Sequence, residues 1–564
     1  MQNKYTDWKQ ALRSGLLGGI IVVVLSLIGI VAAFENTYVV NQLVSFGEIL
    51  ILGPVAALSL SAIRKATSRQ AGFLILTAAI SGLASGLVIL ALAGVGQVIN
   101  LRAMFLNASE ELYAIYAYKQ ALVPGLLLRL LACIVIGALT AGFTLLPDRI
   151  KSALGQGLLY VVFIGLMGRL LTMMLSNWGF VAVLFKWIFT ANSLSLVGAI
   201  VVFLLTGGLA YWRHGRPKVK RSLEPRKQKV IRWSMLGGVG LILIFLPNIL
   251  GLWFSEILDN VGLFILMGLG LNIVVGFAGL LDLGYVAFYA IGAYTIGVLT
   301  SPELGFFNWT FWQAFPVALL MAFFAGVLLG LPILKMRGDY LAIVTLGFGE
   351  IIRILVLSDW LKPWLGGTQG IQRIQRPVIG FGGYARTLES QQELYYLILV
   401  GIVIVAFIAI RLRDSRLGRT WMALREDEDV AVAMGINHVT TKLTAFAMGA
   451  LFSGIGGTLF AAKIGSIYPS SFQFLVSINI LSLIIVGGMG SIPGVFVGAL
   501  ALIGLPELLR EFAEYRYLFY GAALVAMMLI KPEGLWPEAR HRIELHEEET
   551  PPPEEEAATA TENA

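Results

Sequence analysis

The polar residues whose spacing could do chemistry stand mostly inside apolar runs. Glu350 and Arg353, in "TLGFGEIIR", lie one helical turn apart and can pair on one face. Asn272 and Asp282 flank "GFAGLLDLG" (276–284), where three glycines and an aspartate interrupt an apolar stretch. A second interruption, "GGMGSIPG" (487–494), puts one proline and four glycines into eight residues, which does not sustain a regular helix. Polar groups inside an apolar span are costly and mark function. Broken helices expose backbone amides and carbonyls that can line a cavity. Asn272, Gly276, Gly279, Asp282, Gly487, Gly488 and Gly490 are therefore read as the lining of a route. Close helix packing is the other use of glycine, of which the chain has 63. Glu350 and Arg353 form either a structural pair or part of a gate. Glu48 and Arg169 are lone charges in other apolar runs, and either pair with each other or reach toward an interface.

Bond-making chemistry is not indicated. No Gly-x4-Gly-Lys-Ser/Thr loop occurs, and neither does a Gly-x-Ser-x-Gly elbow or a His-Glu-x-x-His helix. If ATP is used, another subunit hydrolyses it. The four histidines and the single cysteine, Cys133, have no zinc spacing, so no metal site is expected.

A third feature is "ALREDEDVAVAMGIN" (423–437), with five charged residues in a row from Arg425 to Asp429. As one helix, 421–434 puts Ala423, Val430 and Met434 on one side and the charges on the other. A helix lying on a membrane surface explains that pattern. A helix docking on a partner explains it equally. The small residues Ala431, Ala433 and Gly435 would then allow close approach, and the charged face would set register.

The elements that position these residues follow from composition. Of 564 residues, 57% are hydrophobic and 13% charged, against about 25% charged in an ordinary soluble domain. Mean hydropathy is +0.81. Runs such as Leu16–Phe34, Phe73–Val95 and Trp233–Leu252 each suffice to cross a bilayer core of about 30 Å as a helix. The fold class is all-α, a polytopic transmembrane helical bundle of about 16 spans. Six are expected in residues 1–212: 11–34, 43–63, 71–97, 123–146, 155–175 and 193–212. Ten are expected in 233–537: 234–253, 261–280, 284–300, 312–334, 340–358, 394–411, 442–462, 473–488, 495–508 and 517–531. Spans 261–280 and 284–300 could be one broken element. Between the blocks, 213–232 is a basic cytoplasmic linker, and 538–564 is an acidic, Pro-rich tail that cannot bury a core. The first run lacks the small-residue end of a signal peptide. Lys and Arg concentrate on one side of this topology, which puts both termini and the 421–435 stretch in the cytoplasm. The net charge of +7 is this inside bias, not a nucleic-acid footprint.

Residues 234–537 resemble a permease subunit of the branched-chain amino-acid ABC importers. The resemblance rests on "GLNIVVGFAGLLDLGYVAFYAIGAY" (270–294), "RGDYLAIVTLGFGEIIR" (337–353), "GGTQGI" (366–371), "LGRTWMALREDEDVAVAMGIN" (417–437) and "IIVGGMGSIPGVFVGA" (484–499). Residues 1–212 resemble the long, variable extensions that some of these permeases carry.

The resemblance implies a non-enzymatic transport subunit in the bacterial inner (plasma) membrane. Its implied partners are membrane lipid, a second homologous permease, two cytoplasmic ATPases that bind ATP and Mg, and an extracytoplasmic amino-acid-binding protein. It implies no cofactor in this chain and no nucleic acid. It raises the docking reading of 421–435, with Arg425, Glu426, Asp427, Glu428, Ala431 and Gly435 as ATPase-coupling residues. "DVAVAMG" only loosely parallels the family's Glu-Ala-Ala-x3-Gly loop, because Asp429 and Val430 replace its Glu and first Ala. The outer loop with Gly366, Gly367, Thr368 and Gly370, beside Trp360 and Trp364, is the expected binding-protein contact. The expected function is ATP-driven import of branched-chain amino acids by alternating access. Import of urea or a short amide by the same machinery, an ion-coupled secondary transporter, and a membrane scaffold are the rival readings.

Overall fold

The computed structural model describes residues 2–66, 68, 70–168, 171–172, 185–190, 193–214, 225–333, 336, 338–381, 384–508, 518, 521–522, 524–525, 529 and 531–537. Arg169, residues 215–224 of the linker and the acidic tail lie outside the described residues. The chain divides into two compact units, Met1–Glu224 and Pro225–Ala564. Both are helical. The strands that pair within described residues form two short antiparallel ribbons, Tyr38–Val40 with Val44–Ser45 and Val378–Phe381 with Tyr384–Thr387.

Eleven described helices are long and apolar enough to cross a membrane, and counting a bent pair as one span makes twelve. The sixteen expected spans are not all tested by this count, because those at 155–175 and 517–531 lie partly outside the described residues.

The first unit contains α1 (Gln2–Ile28), α2 (Phe46–Arg64), α3 (Ala71–Val98), the short α4 (Glu110–Tyr116), α5 (Leu122–Leu145), α6 (Asp148–Leu166) and α7 (Leu196–His214). Ser45 caps α2 by accepting the Glu48 N–H at 3.2 Å, which satisfies an orphan donor of the first turn. The same turn aims the Glu48 carboxylate at α5. There the fully buried Arg129 donates through Nη1 to Oε2 at 2.5 Å and through Nη2 to Oε1 at 2.7 Å. Its Nε and Nη2 also donate to the carbonyls of Tyr116 (3.1 Å) and Ile115 (2.9 Å), and its guanidinium lies 3.8 Å over the Tyr118 ring. Glu48 thus pairs with Arg129. Sequence separation hid this pair, because α2 and α5 meet only in the folded bundle.

The second unit is built from α8 (Pro225–Leu271), α9 (Val286–Thr300), α10 (Phe311–Ile333), α11 (Asp339–Leu357), α12 (Gln391–Asp414), α13 (Arg416–Glu426), α14 (Glu428–Ala433), α15 (His438–Ile464), α16 (Phe474–Gly487) and α17 (Ile492–Ala499). Helix α8 breaks at Gly251, whose φ of 82° suits a residue without Cβ, and the Ser255 hydroxyl bonds back to the Gly251 carbonyl at 3.0 Å. Residues 255–260, which fall between the expected spans 234–253 and 261–280, are helical, with Ser255 and Asp259 buried. Helix α15 is the axis of this unit and packs against α8, α9 and α10. A Cβ on Gly457 would strike the Tyr289 carbonyl of α9, so glycine sets that close approach. After Leu271 the chain passes into a π-helical stretch, Asn272–Phe277, and leaves helix altogether until Val286. The second interruption bends α16 against the element that begins with α17 by 118°.

Removing one partner of a buried ion pair costs about 3–5 kcal/mol, since the other charge stays desolvated. Glu48→Ala should therefore lower the thermal unfolding midpoint of the detergent-solubilised chain sharply. Glu48→Ala combined with Arg129→Leu should recover much of the loss in the same melting measurement.

Candidate functional site

The two interrupted segments, far apart in sequence, meet. Asn272 is 1% exposed at the first π-helical position, and its Oδ1 accepts the Gly490 N–H at 2.9 Å. A Cβ at Gly276 would collide with the Asn272 side chain and with the Gly490 backbone. Asn272, Gly276 and Gly490 therefore form one contact between the breaks. Gly488 and Gly490 hold φ values of 118° and 82°. The backbone carbonyls of Val486 and Gly487 accept the N–H groups of Leu535 and Trp536, each at 2.9 Å. The segment before the acidic tail thereby covers the bend.

Asp282 lies deeper. It is fully buried, and its Oδ1 accepts the Gly284 N–H at 2.9 Å. Its other oxygen has no hydrogen-bond partner among the described residues. Around it the freed backbone is tied to distant helices. Thr345 Oγ1 accepts the Leu283 N–H at 3.0 Å, and Ser477 Oγ accepts the Val286 N–H at 3.0 Å. The Tyr285 hydroxyl donates to the Gly449 carbonyl at 2.8 Å.

The charged run reaches the same place. Arg425, at the end of α13, donates through Nη1 to the Gly276 carbonyl at 2.5 Å. Its methylenes lie against Gly279, whose φ is 69° and where a Cβ would sit 2.8 Å from Arg425 Cγ. The expected single helix over 421–434 is two helices, broken at Asp427 with φ −156°. Asp427 caps the second by accepting the N–H groups of Asp429 (2.9 Å) and Val430 (3.0 Å), which is why the chain turns there. Helix α13 is fixed to α15 by the buried Trp421, whose Nε1 donates to the Thr441 carbonyl at 3.0 Å. Helix α14 is fixed by Glu428, paired at 2.7 Å with Lys442, itself 1% exposed. Ala431 is buried. Of the six residues expected at a partner's surface, Glu426, Asp427 and Gly435 are exposed, while Arg425, Glu428 and Ala431 face the chain's own helices. The outward side also carries Val430, Val432 and Met434, the last 79% exposed.

Glu350 and Arg353 do pair. Arg353 Nε donates to both carboxylate oxygens of Glu350, at 2.9 and 3.0 Å, and Nη2 adds a further bond to Oε1. They lie apart from the Asn272–Arg425 contact, on α11. In the loop of 366–371, Gly366, Gly367 and Gly370 all have positive φ. Ile371 pairs with Ile467 through two backbone hydrogen bonds, 3.0 and 2.9 Å. These glycines shape the turn, and the groups it presents outward are Thr368, Trp360 and Trp364, the last stacked on Phe306 at 4.5 Å.

Three participants were not anticipated. Lys442 stands in an apolar context and was not matched to a carboxylate fourteen residues earlier. Asp259 was assigned to a loop. Its two oxygens are buried without a hydrogen-bond partner among the described residues, near Lys463, whose Nζ donates to Asn260 at 2.6 Å. Between Leu252 and Gly262 neither proline nor glycine interrupts the run, and that was the signal for a continuing helix. The pairing of Leu535 and Trp536 with the second break left no pattern in composition at all.

Comparison with known proteins matches this part of the chain. The family model "Branched-chain amino acid transport system / permease component" covers residues 254–528. The high-affinity branched-chain amino acid transport system permease protein LivM of Escherichia coli (strain K12) is 43% identical over 302 residues, half of this chain and 70% of that protein. LivM of Salmonella typhimurium is 39% identical over 338 residues, 57% of this chain and 77% of that protein. The permease protein LivH of the same organism is 23% identical over 286 residues, 48% and 90% of the two chains. No solved structure matches the chain. With a 43% identical relative matched over most of its length, and with both breaks inside the matched region, the chain belongs to the family of branched-chain amino acid transport permeases.

Proposed function

We propose that this chain is one of two permease subunits in an ATP-driven, binding-protein-dependent importer of branched-chain amino acids, working by alternating access. The named cargo of its LivM relatives favours this over urea or a short amide, and the similarity to LivH as well as LivM supports a homologous second permease. One observation carries the coupling mechanism: Arg425 joins the α13–α14 element to the carbonyl of Gly276 in the first break.

The outward side of α14, with Val430, Val432, Met434, Glu426 and Gly435, is the docking surface for a cytoplasmic ATPase. ATP and Mg belong to that subunit. Trp421 and the Glu428–Lys442 pair make α13 and α14 move as one with α15. Closure of the ATPases displaces this element. Arg425 passes the displacement to the π-helical stretch, and Asn272 passes it on to Gly490. Both breaks then shift together, which is what opening an inner cavity to the opposite face requires. The loaded binding protein engages the surface around Trp360, Trp364 and Thr368.

Arg425→Gln should leave the ATPase bound in co-purification but reduce ATP-driven leucine uptake into proteoliposomes by about tenfold or more, since a charge-assisted hydrogen bond is worth about 1.5–3 kcal/mol. Unchanged uptake would remove Arg425 from the coupling path. Met434→Asp should do the reverse at the first step, lowering ATPase co-purification because a charge is placed in an apolar contact. Leucine uptake that persists without any ATPase subunit, driven by an ion gradient, would replace the ATP-driven reading with a secondary transporter.

A further inference from the structure

Three helices of the second unit turn a broad face outward, and one of those faces is unlike the others. Between Pro316 and Leu331 the exposed residues of α10 are apolar throughout, and so are those of α12 between Val400 and Ile410. Such faces suit lipid. Along α11, Tyr340, Ile343, Gly347, Glu350 and Ile354 follow at spacings of three and four, and so share one face. Tyr340, Ile343 and Ile354 are exposed on it, and the Glu350 side chain is 40% exposed.

Glu350 stands ten residues from Tyr340 and seven from Leu357, about 15 and 10 Å along the helix at 1.5 Å per residue. A carboxylate at that depth does not face lipid; it faces protein or a water-filled path. An arginine near a span end ordinarily extends to the membrane surface. The guanidinium of Arg353 is instead bonded back to Glu350. Those bonds use Nε and Nη2 and leave Nη1 for an acceptor on a partner. Ile343 and Ile354, on either side of Glu350, are apolar, so the face suits a packed helix better than a water-filled path.

Gly347 points the same way independently. A Cβ added there would meet nothing within 4 Å, so the chain's own packing does not require glycine. On a lipid face a larger residue would make the better helix. Glycine serves the close approach of a neighbouring helix. The ATPases and the binding protein work outside the membrane, which leaves a membrane subunit as the neighbour. The stripe lies inside the family match at 254–528, whereas residues 1–224 lie outside it, so a partner common to the family fits it better than the chain's own first unit.

Resting on the reading of the chain as one of two permeases, we propose that the second permease packs on this face of α11. A helix of that subunit lies against Gly347, and an acceptor on it meets Arg353 of the Glu350–Arg353 pair.

The test uses the complete complex in proteoliposomes. Photoreactive benzoylphenylalanine replaces Ile343 or Ile354 on the proposed face, and Leu328 of α10 or Phe407 of α12 as controls. Illumination should join the Ile343 and Ile354 variants to the second permease, identified by mass spectrometry, and should not join the Leu328 and Phe407 variants to it. Gly347→Leu should lower recovery of the second permease in co-purification by about tenfold or more, because the added side chain overpacks the contact. The melting midpoint of the Gly347→Leu chain purified alone should stay parental, since the new side chain meets nothing within the chain. Adducts at Ile343 and Ile354 only with lipid, only within this chain, or only with a second copy of it would overturn the interface and leave the transport reading standing. Parental co-purification in Gly347→Leu would do the same. A transporting complex that contains no homologous second permease would overturn the two-permease reading, and the interface with it.

Discussion

Within a bilayer every backbone amide and carbonyl must find a partner inside the protein, because lipid offers none. A membrane helix satisfies that rule alone, and a broken one does not. Two glycine-rich breaks, at 276–284 and 487–494, free backbone groups in the permease unit, and several of its polar side chains satisfy them. Asn272 takes the N–H of Gly490, Thr345 takes that of Leu283, Ser477 takes that of Val286, and Arg425 supplies the carbonyl of Gly276. Each of these side chains comes from a different stretch of the chain. The breaks are therefore the points where otherwise separate helices are joined by specific directional bonds instead of by packing alone.

That arrangement explains why a cytoplasmic element can act on the membrane interior. Apolar packing links helices without direction, whereas a charge-assisted hydrogen bond from a guanidinium to a carbonyl ties two particular atoms together. Arg425 is held at its root by α13, which Trp421 anchors on α15, and at its tip by the first break. The glycines around it have a defined service: Gly279 makes room for the Arg425 stem, and Gly276 for the Asn272 amide.

The breaks themselves were legible in the sequence, because glycine and proline clusters inside apolar runs have few other uses. Their union through Asn272 was not, since nothing in local spacing says which of two distant interruptions an amide will meet. The charged run was read as one amphipathic helix, with six residues turned to a partner. Asp427 instead caps a second helix, and the kink rotates Arg425, Glu428 and Ala431 inward. Periodicity assumes a continuous helix and misses a cap in its middle, although aspartate is a capping residue by type. Span counting meets a related limit. Apolar length fixes how far a segment can reach, but Gly251 and the 118° bend decide where it turns. The Glu48–Arg129 pair shows the same limit in the first unit, where each charge was visible and the match between them was a property of the fold.

The pairing of Leu535 and Trp536 with Val486 and Gly487 has a consequence for biosynthesis. The second break is translated about fifty residues before its backbone partners. During that interval the carbonyls of Val486 and Gly487 lack these partners, and the bend is held by its glycines and by Asn272. The contact is thus among the last to form, and it reports that the ribosome has passed residue 536.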